Sequence, residues 1–186
     1  SSSSKIKFDG NSVYINDLPF YGSHNNLNAA AAIISAASYG INLNVAYDGL
    51  KDFSGVLRRL EEKGTFNGIT ILDDFAHHPT AIRLTLEAVQ EAYPEQRIWA
   101  IFEPRSATCK RKVFEDRLPK SFAPANKVII AGLFAPDKID LKDRLNPELV
   151  VERINNDGGD AYFIPDIGAL VNKLITECRP KDVLLI

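Results

Sequence analysis

The sequence predicts an α/β protein built on a doubly wound, mostly parallel sheet. Apolar runs and amphipathic helical patterns alternate from Ile69 to the end of the chain, which is typical of such a sheet. Polar residues follow the first two runs, where parallel sheets place their ligands. The stretch up to Gly64 has a different rhythm, with a hairpin and two helices. We therefore expect two domains, residues 1–64 and 65–186.

Size and charge narrow the class of protein. The 186 residues are 45% hydrophobic, enough for one full core and part of a second. A net charge of -2 argues against non-specific nucleic-acid binding. There is no leader and no long apolar span, so we expect a cytoplasmic protein without a membrane partner. Ser1–Ser4 are interpreted as the cut end of a longer chain or as a cloning remnant.

The first 64 residues predict a small α/β unit. Residues 5–8 and 12–15 alternate around Asp9-Gly10-Asn11, a pattern that indicates a hairpin. The alanine-rich residues 25–39 predict a helix ending before Gly40, and a shorter helix is expected over residues 47–53. These elements provide little core for an independent domain.

After Gly64 the pattern predicts five strands separated by helices. The expected strands are residues 69–72, 97–102, 127–132, 161–164 and 182–186. The expected helices are residues 79–93, the first part of 110–122, 147–157 and 167–178. Pro119 is expected to kink or end the second of these helices, because an internal proline removes a helical hydrogen bond.

Two segments before the sheet carry candidate nucleotide contacts. Asn25 and Asn28 are three residues apart and so share a helical face, from which two amides could read a purine edge. Helix capping by Ser23 or Asn25 is the alternative. The pair Arg58-Arg59 could hold phosphate through forked hydrogen bonds, or it could be a solvated helix end.

The stretch Asp73–Thr80 follows the strand at residues 69–72. Asp74 and His77 are the candidates for function in this turn, which joins a strand end to a helix start. Asp73 has a structural alternative as a strand-end cap. His78 has one as the N-cap before Pro79.

The stretch Glu103–Lys110 follows the next strand. Arg105, Ser106 and Thr108 would share a crevice with the Asp73–Thr80 turn, because strand-end loops of a parallel sheet line one edge. A proline-stiffened turn with surface charges is the alternative. Cys109 is interpreted as a bystander. No glycine-rich phosphate loop of the GxxxxGK[ST] or GxGxxG type is present.

Taken in order, the four segments resemble the Mur ligase family of peptidoglycan enzymes. Residues 24–30 resemble its HNxxNxxAA segment, and residues 53–61 its arginine segment. Residues 73–80 resemble its D-[YF]-[AG]-H-x-P signature. Glu103–Thr108 resembles the branch that joins the murein tripeptide L-Ala-γ-D-Glu-meso-diaminopimelate to UDP-N-acetylmuramic acid in peptidoglycan recycling. Relatives that add L-alanine usually carry a His-Arg pair in place of Arg105-Ser106.

The resemblance implies a Rossmann-like C-terminal domain preceded by the tail of a central ATP-binding domain. It implies ATP and Mg²⁺ as cofactors. The residues implied at ATP are His24, Asn25, Asn28, Arg59 and Asp74. Those implied towards the peptide are His77, Arg105, Ser106 and Thr108. Arg59, Asp74 and His77 would act in catalysis, the arginine as a charge clamp and the other two as orienting groups.

This sequence differs from the family pattern because it lacks several of the family's motifs. Its phosphate loop and magnesium ligands belong upstream, so we expect a C-terminal fragment that is inactive without the N-terminal and central domains. The reaction implied is ATP-dependent amide formation through an acyl phosphate. A UDP-N-acetylmuramate–L-alanine ligase, or a non-catalytic α/β module that binds a nucleotide or peptide, remain alternatives.

Overall fold

The computed structural model describes residues 4–16 and 18–186, so Ser1–Ser3 of the leading serine run lie outside the described residues. The chain divides into two compact units, Ser1–Leu57 and Arg58–Ile186. The division falls after Leu57, whereas the sequence places a boundary after Gly64.

The first unit is a hairpin with two helices. Its elements are β1 (Ser4–Phe8), β2 (Asn11–Ile15), α1 (Ser23–Ser38) and α2 (Leu43–Lys51). Asp9 and Gly10 have φ values of 46° and 75° and turn the antiparallel strands, which confirms the predicted hairpin. Helix α2 begins earlier than expected, because the Asn42 side chain caps it by accepting from the Asn44 N–H. The first unit has a small core, which includes Ile6, Val13 and Ile33.

The second unit is a six-stranded sheet with the order β3-β4-β8-β5-β6-β7. Its strands are β3 (Glu61–Phe66), β4 (Ile69–Asp73), β5 (Ile98–Phe102), β6 (Lys127–Ala131), β7 (Ala161–Ile164) and β8 (Val183–Leu185). Its helices are α3 (Pro79–Ala92), α4 (Leu118–Ser121), α5 (Pro147–Asn156) and α6 (Ile167–Glu177). The ladders among β4, β8, β5, β6 and β7 are all parallel, as predicted.

Helices cover both faces of this sheet, which confirms the doubly wound architecture. Successive strand residues point to opposite faces. Ala100 accordingly packs with α3, α4 and α5, and Trp99 packs with Leu170 of α6. Burial of these two apolar layers is the main stabilising contribution.

Strand β3 is the element that the sequence prediction missed. It pairs with β4 in antiparallel register at the sheet edge. Asn67 and Gly68 have φ values of 52° and 77°, as a tight two-residue hairpin requires. The sheet therefore has six strands rather than five.

The expected helix at the start of residues 110–122 is also wrong. Lys112–Phe114 forms a 3₁₀ turn, and the α-helix begins only at Leu118. Pro119 lies in the first turn of α4, where its missing N–H costs no hydrogen bond. The proline therefore starts a helix instead of ending one.

A buried ion pair lies at the amino ends of the neighbouring strands β5 and β8. Asp182 accepts two hydrogen bonds from Arg97 and one from the Trp99 indole, at 2.6 to 3.0 Å. Burial alone would raise the pKa of Asp182. The hydrogen bonds from Arg97, the Arg179 N–H and Trp99 outweigh it and hold that pKa below its usual value. This carboxylate is thus fully compensated inside the fold.

Candidate functional site

A cleft of about 550 Å³ lies at the carboxyl ends of β4, β5 and β8. We call it the strand-end cleft; its polar lining includes Arg58, Asp74, His77, Glu103, Arg105 and Ser106. The Asp74 N–H donates to the Ile186 carbonyl at 2.8 Å and ties the turn after β4 to the end of β8. The expectation that the two strand-end loops share one crevice is met in the second unit.

The Asp74 carboxylate organises the turn. One oxygen accepts from the Leu60 N–H at 2.8 Å. The other accepts from the Ala76 N–H at 2.8 Å and from the Thr85 hydroxyl at 3.5 Å. A carboxylate has about four acceptor positions, so three donors occupy most of them. Asp74 therefore joins the turn before β3 to the turn after β4.

His78 has the structural role that the sequence suggested, and Asp73 has a different one. Asp73 Oδ2 lies 3.6 Å from Arg58 Nε and 3.8 Å from Lys63 Nζ, so it pairs with cations at the strand end. His78 is the N-cap of α3, and its Nδ1 accepts from the Thr80 N–H at 3.2 Å. The N-cap prediction is confirmed.

His77 is held as a particular tautomer. Its Nδ1 lies 2.8 Å from the Phe75 carbonyl oxygen, which can only accept, so Nδ1 carries the proton in the neutral ring. The Phe75 ring packs edge-on against the imidazole at 4.9 Å. The neutral form of His77 thus keeps Nε2 as an unprotonated acceptor in a residue that lines the strand-end cleft.

The two arginines lie on a turn and not at a helix end, so the helix-end alternative is wrong. Arg58 and Leu60 have φ values of 58° and 48°, an uncommon backbone for residues with a side chain. The Arg58 N–H donates to Glu61, whose pKa is lowered first by the Lys63 ammonium and then by this N–H. The exposed Arg59 guanidinium lies 5.8 Å from the centre of the Phe75 ring.

The loop after β5 presents Arg105 and Ser106 to the strand-end cleft. Ser106 Oγ accepts from the Cys109 N–H at 3.2 Å and so shapes the loop. Thr108 is exposed and does not line the cleft. The fully buried Cys109 is interior packing.

Phe134 is the contact that sequence reasoning did not single out. It follows β6, and the Arg105 guanidinium carbon lies 4.3 Å from the centre of its ring. The Phe134 N–H also donates to the Pro104 carbonyl at 3.2 Å. The strand-end rule could have found it, because the loop after β6 ends on the same sheet edge.

The remaining candidates lie in the first unit, on the first turns of α1. Gly22 is the N-cap and no side chain caps the helix, so capping by Ser23 or Asn25 is wrong. Asn28 Nδ2 donates to Asn25 Oδ1 at 3.3 Å, which confirms that the two amides share a face. His24 Nδ1 is buried without a hydrogen-bond partner among the described residues.

Residues 4–16 and 18–186 contain no group of three or more His, Cys, Asp or Glu side chains that could hold a metal ion. No helix in those ranges is both long and apolar enough to cross a membrane.

A cleft that gathers a few polar side chains at the carboxyl ends of the strands is where doubly wound α/β domains bind their ligands. The family model described as Mur ligase, glutamate ligase domain, matches residues 58–186. This range coincides with the second unit. The chain therefore belongs to the Mur ligase family.

The similar proteins include an L-alanine ligase and a murein peptide ligase. The UDP-N-acetylmuramate–L-alanine ligase of Thermobifida fusca is 35% identical over 176 residues, which cover 90% of this chain and 36% of that enzyme. The crystal structure of a murein peptide ligase from Psychrobacter arcticus matches 100% of this chain and 38% of its own, with a TM-score of 0.69 and 29% identity. This chain thus spans about a third of the length of its curated relatives.

A separately solved domain is similar to most of the chain. It is ascribed to a UDP-N-acetylmuramate:L-alanyl-γ-D-glutamyl-meso-diaminopimelate ligase of Haemophilus ducreyi. The two are 34% identical with a TM-score of 0.52, and the match covers 69% of this chain and 85% of that domain.

Proposed function

We propose that this chain is the C-terminal part of an ATP-dependent murein peptide ligase. Its reaction joins L-Ala-γ-D-Glu-meso-diaminopimelate to UDP-N-acetylmuramic acid in peptidoglycan recycling. The observation that carries the proposal is the Glu103–Ser106 loop, which lines the strand-end cleft and has Arg105-Ser106 where alanine-adding relatives usually carry His-Arg. The murein peptide ligase of Psychrobacter arcticus supports it.

The chemistry is amide formation through an acyl phosphate. ATP transfers its terminal phosphoryl group to the muramyl carboxylate, the peptide amine attacks the acyl carbon, and phosphate leaves. Such a reaction depends mainly on positioning and on neutralising charge. The protein groups needed are cations near the phosphates and polar groups around the incoming amine.

Arg59 is the proposed phosphate clamp of this chain. Its guanidinium is exposed and has no ion pair among the described residues, so it is available to an anion. Asp74 holds the arginine turn through the Leu60 N–H. Its remaining acceptor position would contact ATP. Asp74 thus sets the conformation of the turn, and Arg59 supplies its positive charge for the phosphates.

His77, Arg105 and Ser106 form the proposed peptide side of the cleft, with Thr108 further out. The unprotonated Nε2 of neutral His77 can accept a hydrogen bond from an amine or amide N–H. Arg105 can hold a peptide carboxylate. We assign these residues to orienting the peptide and name no general base.

His24, Asn25 and Asn28 are proposed to contact the adenine. The orphaned Nδ1 of His24 suits this role, because a buried ring nitrogen without a partner gains from a ligand hydrogen bond. Mg²⁺ neutralises phosphate charge when bound, and its ligands are assigned to parts of the ligase outside this chain.

The alternative function is addition of L-alanine to the same nucleotide. The 35% identity with the Thermobifida fusca enzyme favours it. The test is to supply the full-length ligase with ATP, UDP-N-acetylmuramic acid and equal amounts of tripeptide and L-alanine. Mass spectrometry of the product distinguishes the two acceptors. A tripeptide adduct supports the proposal, and an alanine adduct overturns it.

A third possibility, a non-catalytic α/β module that binds a nucleotide or peptide, predicts no product from either acceptor. The isolated 186-residue chain should also give no product, because it contains no phosphate loop. ATP-dependent ligation by the isolated chain would contradict its assignment as one part of a larger ligase.

A further inference from the structure

Thr85 is a buried polar residue on the apolar side of α3. It is 4% exposed, and the other buried residues of the helix are all apolar. A hydroxyl inside a helix commonly bonds to a carbonyl of the preceding turn, as Thr176 does with Asn172 at 2.7 Å. Among the described residues, the Thr85 hydroxyl makes a single hydrogen bond, to Asp74 Oδ1 at 3.5 Å. It therefore bonds to another element instead of to its own helix.

The fold itself gains little from this hydroxyl. Burial removes the hydroxyl from water, and a single internal hydrogen bond mainly offsets that cost. A valine would have the same branched shape without the polar atom. The Asp74 carboxylate would still accept from its two N–H donors at 2.8 Å. A threonine at this position is thus better explained by its effect on Asp74 than by the stability of α3.

The hydroxyl adds a packed helix to the contacts of the Asp74 carboxylate. The two N–H donors, of Leu60 and Ala76, belong to irregular backbone on either side of the β3–β4 hairpin. Thr85 belongs to α3, whose Leu86 side chain is fully buried in the core. A carboxylate rotates about its last side-chain bond with only a broad preference. A donor on a packed helix therefore fixes its orientation relative to the core, and both Thr85 and Asp74 line the strand-end cleft.

We propose that Thr85 is a positioning residue for ATP. Its hydroxyl holds the Asp74 carboxylate, and through the Leu60 N–H also the turn of Arg58 and Arg59, in the conformation that meets the phosphates. This role rests on the proposed function, in which Asp74 and Arg59 contact ATP. Thr85 itself touches neither ATP nor the acceptor and acts only through Asp74.

The first experiment compares Thr85→Val, Thr85→Ser and Thr176→Val in the full-length ligase. Thr176→Val is the matched control, because it removes a hydroxyl that is bonded within its own helix. We expect Thr85→Val to raise the KM for ATP about tenfold, since a misplacement of about 1 Å can cost about a hundredfold. The KM values for the muramyl nucleotide and the tripeptide should stay within about twofold. Thr85→Ser keeps the hydroxyl, so it and the control should stay within about threefold of the wild type for ATP.

The second experiment tests whether Thr85 acts through Asp74. Asp74→Asn keeps the shape of the side chain and removes its charge, which about halves the strength of a hydrogen bond that it accepts. Half of a tenfold effect in free energy is about threefold. Thr85→Val added to Asp74→Asn should therefore raise the KM for ATP by about threefold or less. A tenfold rise in both backgrounds would assign Thr85 a role independent of Asp74 and overturn the inference.

The third readout separates positioning from folding. Urea unfolding of Thr85→Val in the 186-residue chain, followed by the fluorescence of Trp99, should occur at an unchanged or higher midpoint, because valine buries an apolar group in place of the hydroxyl. A structural role for the hydroxyl predicts a lower midpoint. A lower midpoint with similar KM changes for all three substrates would overturn the inference.

The outcomes separate this role from the function. ATP-dependent turnover of the tripeptide with an unchanged KM for ATP in Thr85→Val overturns the inference and leaves the function standing. A raised KM for the tripeptide alone also overturns the inference, since it assigns Thr85 to the acceptor. The absence of any ATP-dependent product from the wild-type ligase overturns the proposed function, and the inference with it.

Discussion

The neighbouring residues Asp73 and Asp74 give a matched test of the turn that holds the arginines. Asp74→Ala removes the acceptor of two backbone N–H groups at 2.8 Å, those of Leu60 and Ala76. At about 1.5 kcal/mol for each hydrogen bond to a charged acceptor, the expected loss is about 3 kcal/mol. Asp73→Ala removes only ion pairs at 3.6 and 3.8 Å, worth about 0–1 kcal/mol.

The assay is urea unfolding of the 186-residue chain. Trp99 is its only tryptophan and is fully buried in the second unit, so its fluorescence reports on that unit. With an m-value of about 2 kcal/mol/M, Asp74→Ala should lower the midpoint by about 1.5 M. Asp73→Ala should lower it by less than about 0.5 M. Equal shifts for the two variants would refute the assignment of Asp74 as the organising carboxylate.

Three further predictions follow from named contacts. Asp182→Asn should reduce stability at neutral pH. Since the folded pKa of Asp182 lies below the unfolded value of 3.8, the wild-type advantage should disappear as pH falls below that value; an advantage independent of pH contradicts this. Gly68→Ala should cost about 1–2 kcal/mol, measured by urea unfolding, because its φ is +77° and a Cβ would lie 3.2 Å from Pro180 Cβ; an unchanged midpoint contradicts it. In the full-length ligase, Arg105→Ala should raise the KM for tripeptide more than that for ATP, and steady-state kinetics showing equal effects count against a peptide role.

The periodicity of the sequence predicts most of the sheet, because buried parallel strands are continuous apolar runs. Residues 127–132 illustrate this, since β6 occupies 127–131. The sequence pattern did not predict strand β3, because an antiparallel edge strand needs little apolar character. The Glu61–Phe66 sequence of this strand is mostly polar. The signal that was present was the Asn67-Gly68 turn.

The candidate site was predictable at the level of loops and less so at the level of partners. Parallel topology alone brings Asp74 and Arg105 to one sheet edge. The pairing of Asp74 with the Leu60 N–H depends on an uncommon positive φ, and no local pattern indicates it. The packing of Arg105 on Phe134 depends on the conformation of the loop after β6. In the sequence alone, a phenylalanine such as Phe134 cannot be distinguished from a residue of the core.

The selection of the acceptor by the loop after β5 is the central claim of this account. The most direct test is the ratio of kcat/KM for tripeptide to kcat/KM for L-alanine in the full-length ligase. It is measured for the wild type and for a double variant, Arg105→His with Ser106→Arg. We expect the wild-type ratio to be at least about 100, since a site built for polar groups rejects a ligand that lacks them. The ratio should fall at least tenfold in the double variant, by about 1.4 kcal/mol of discrimination. A wild-type preference for L-alanine, or a ratio that the double variant leaves unchanged, would contradict the account.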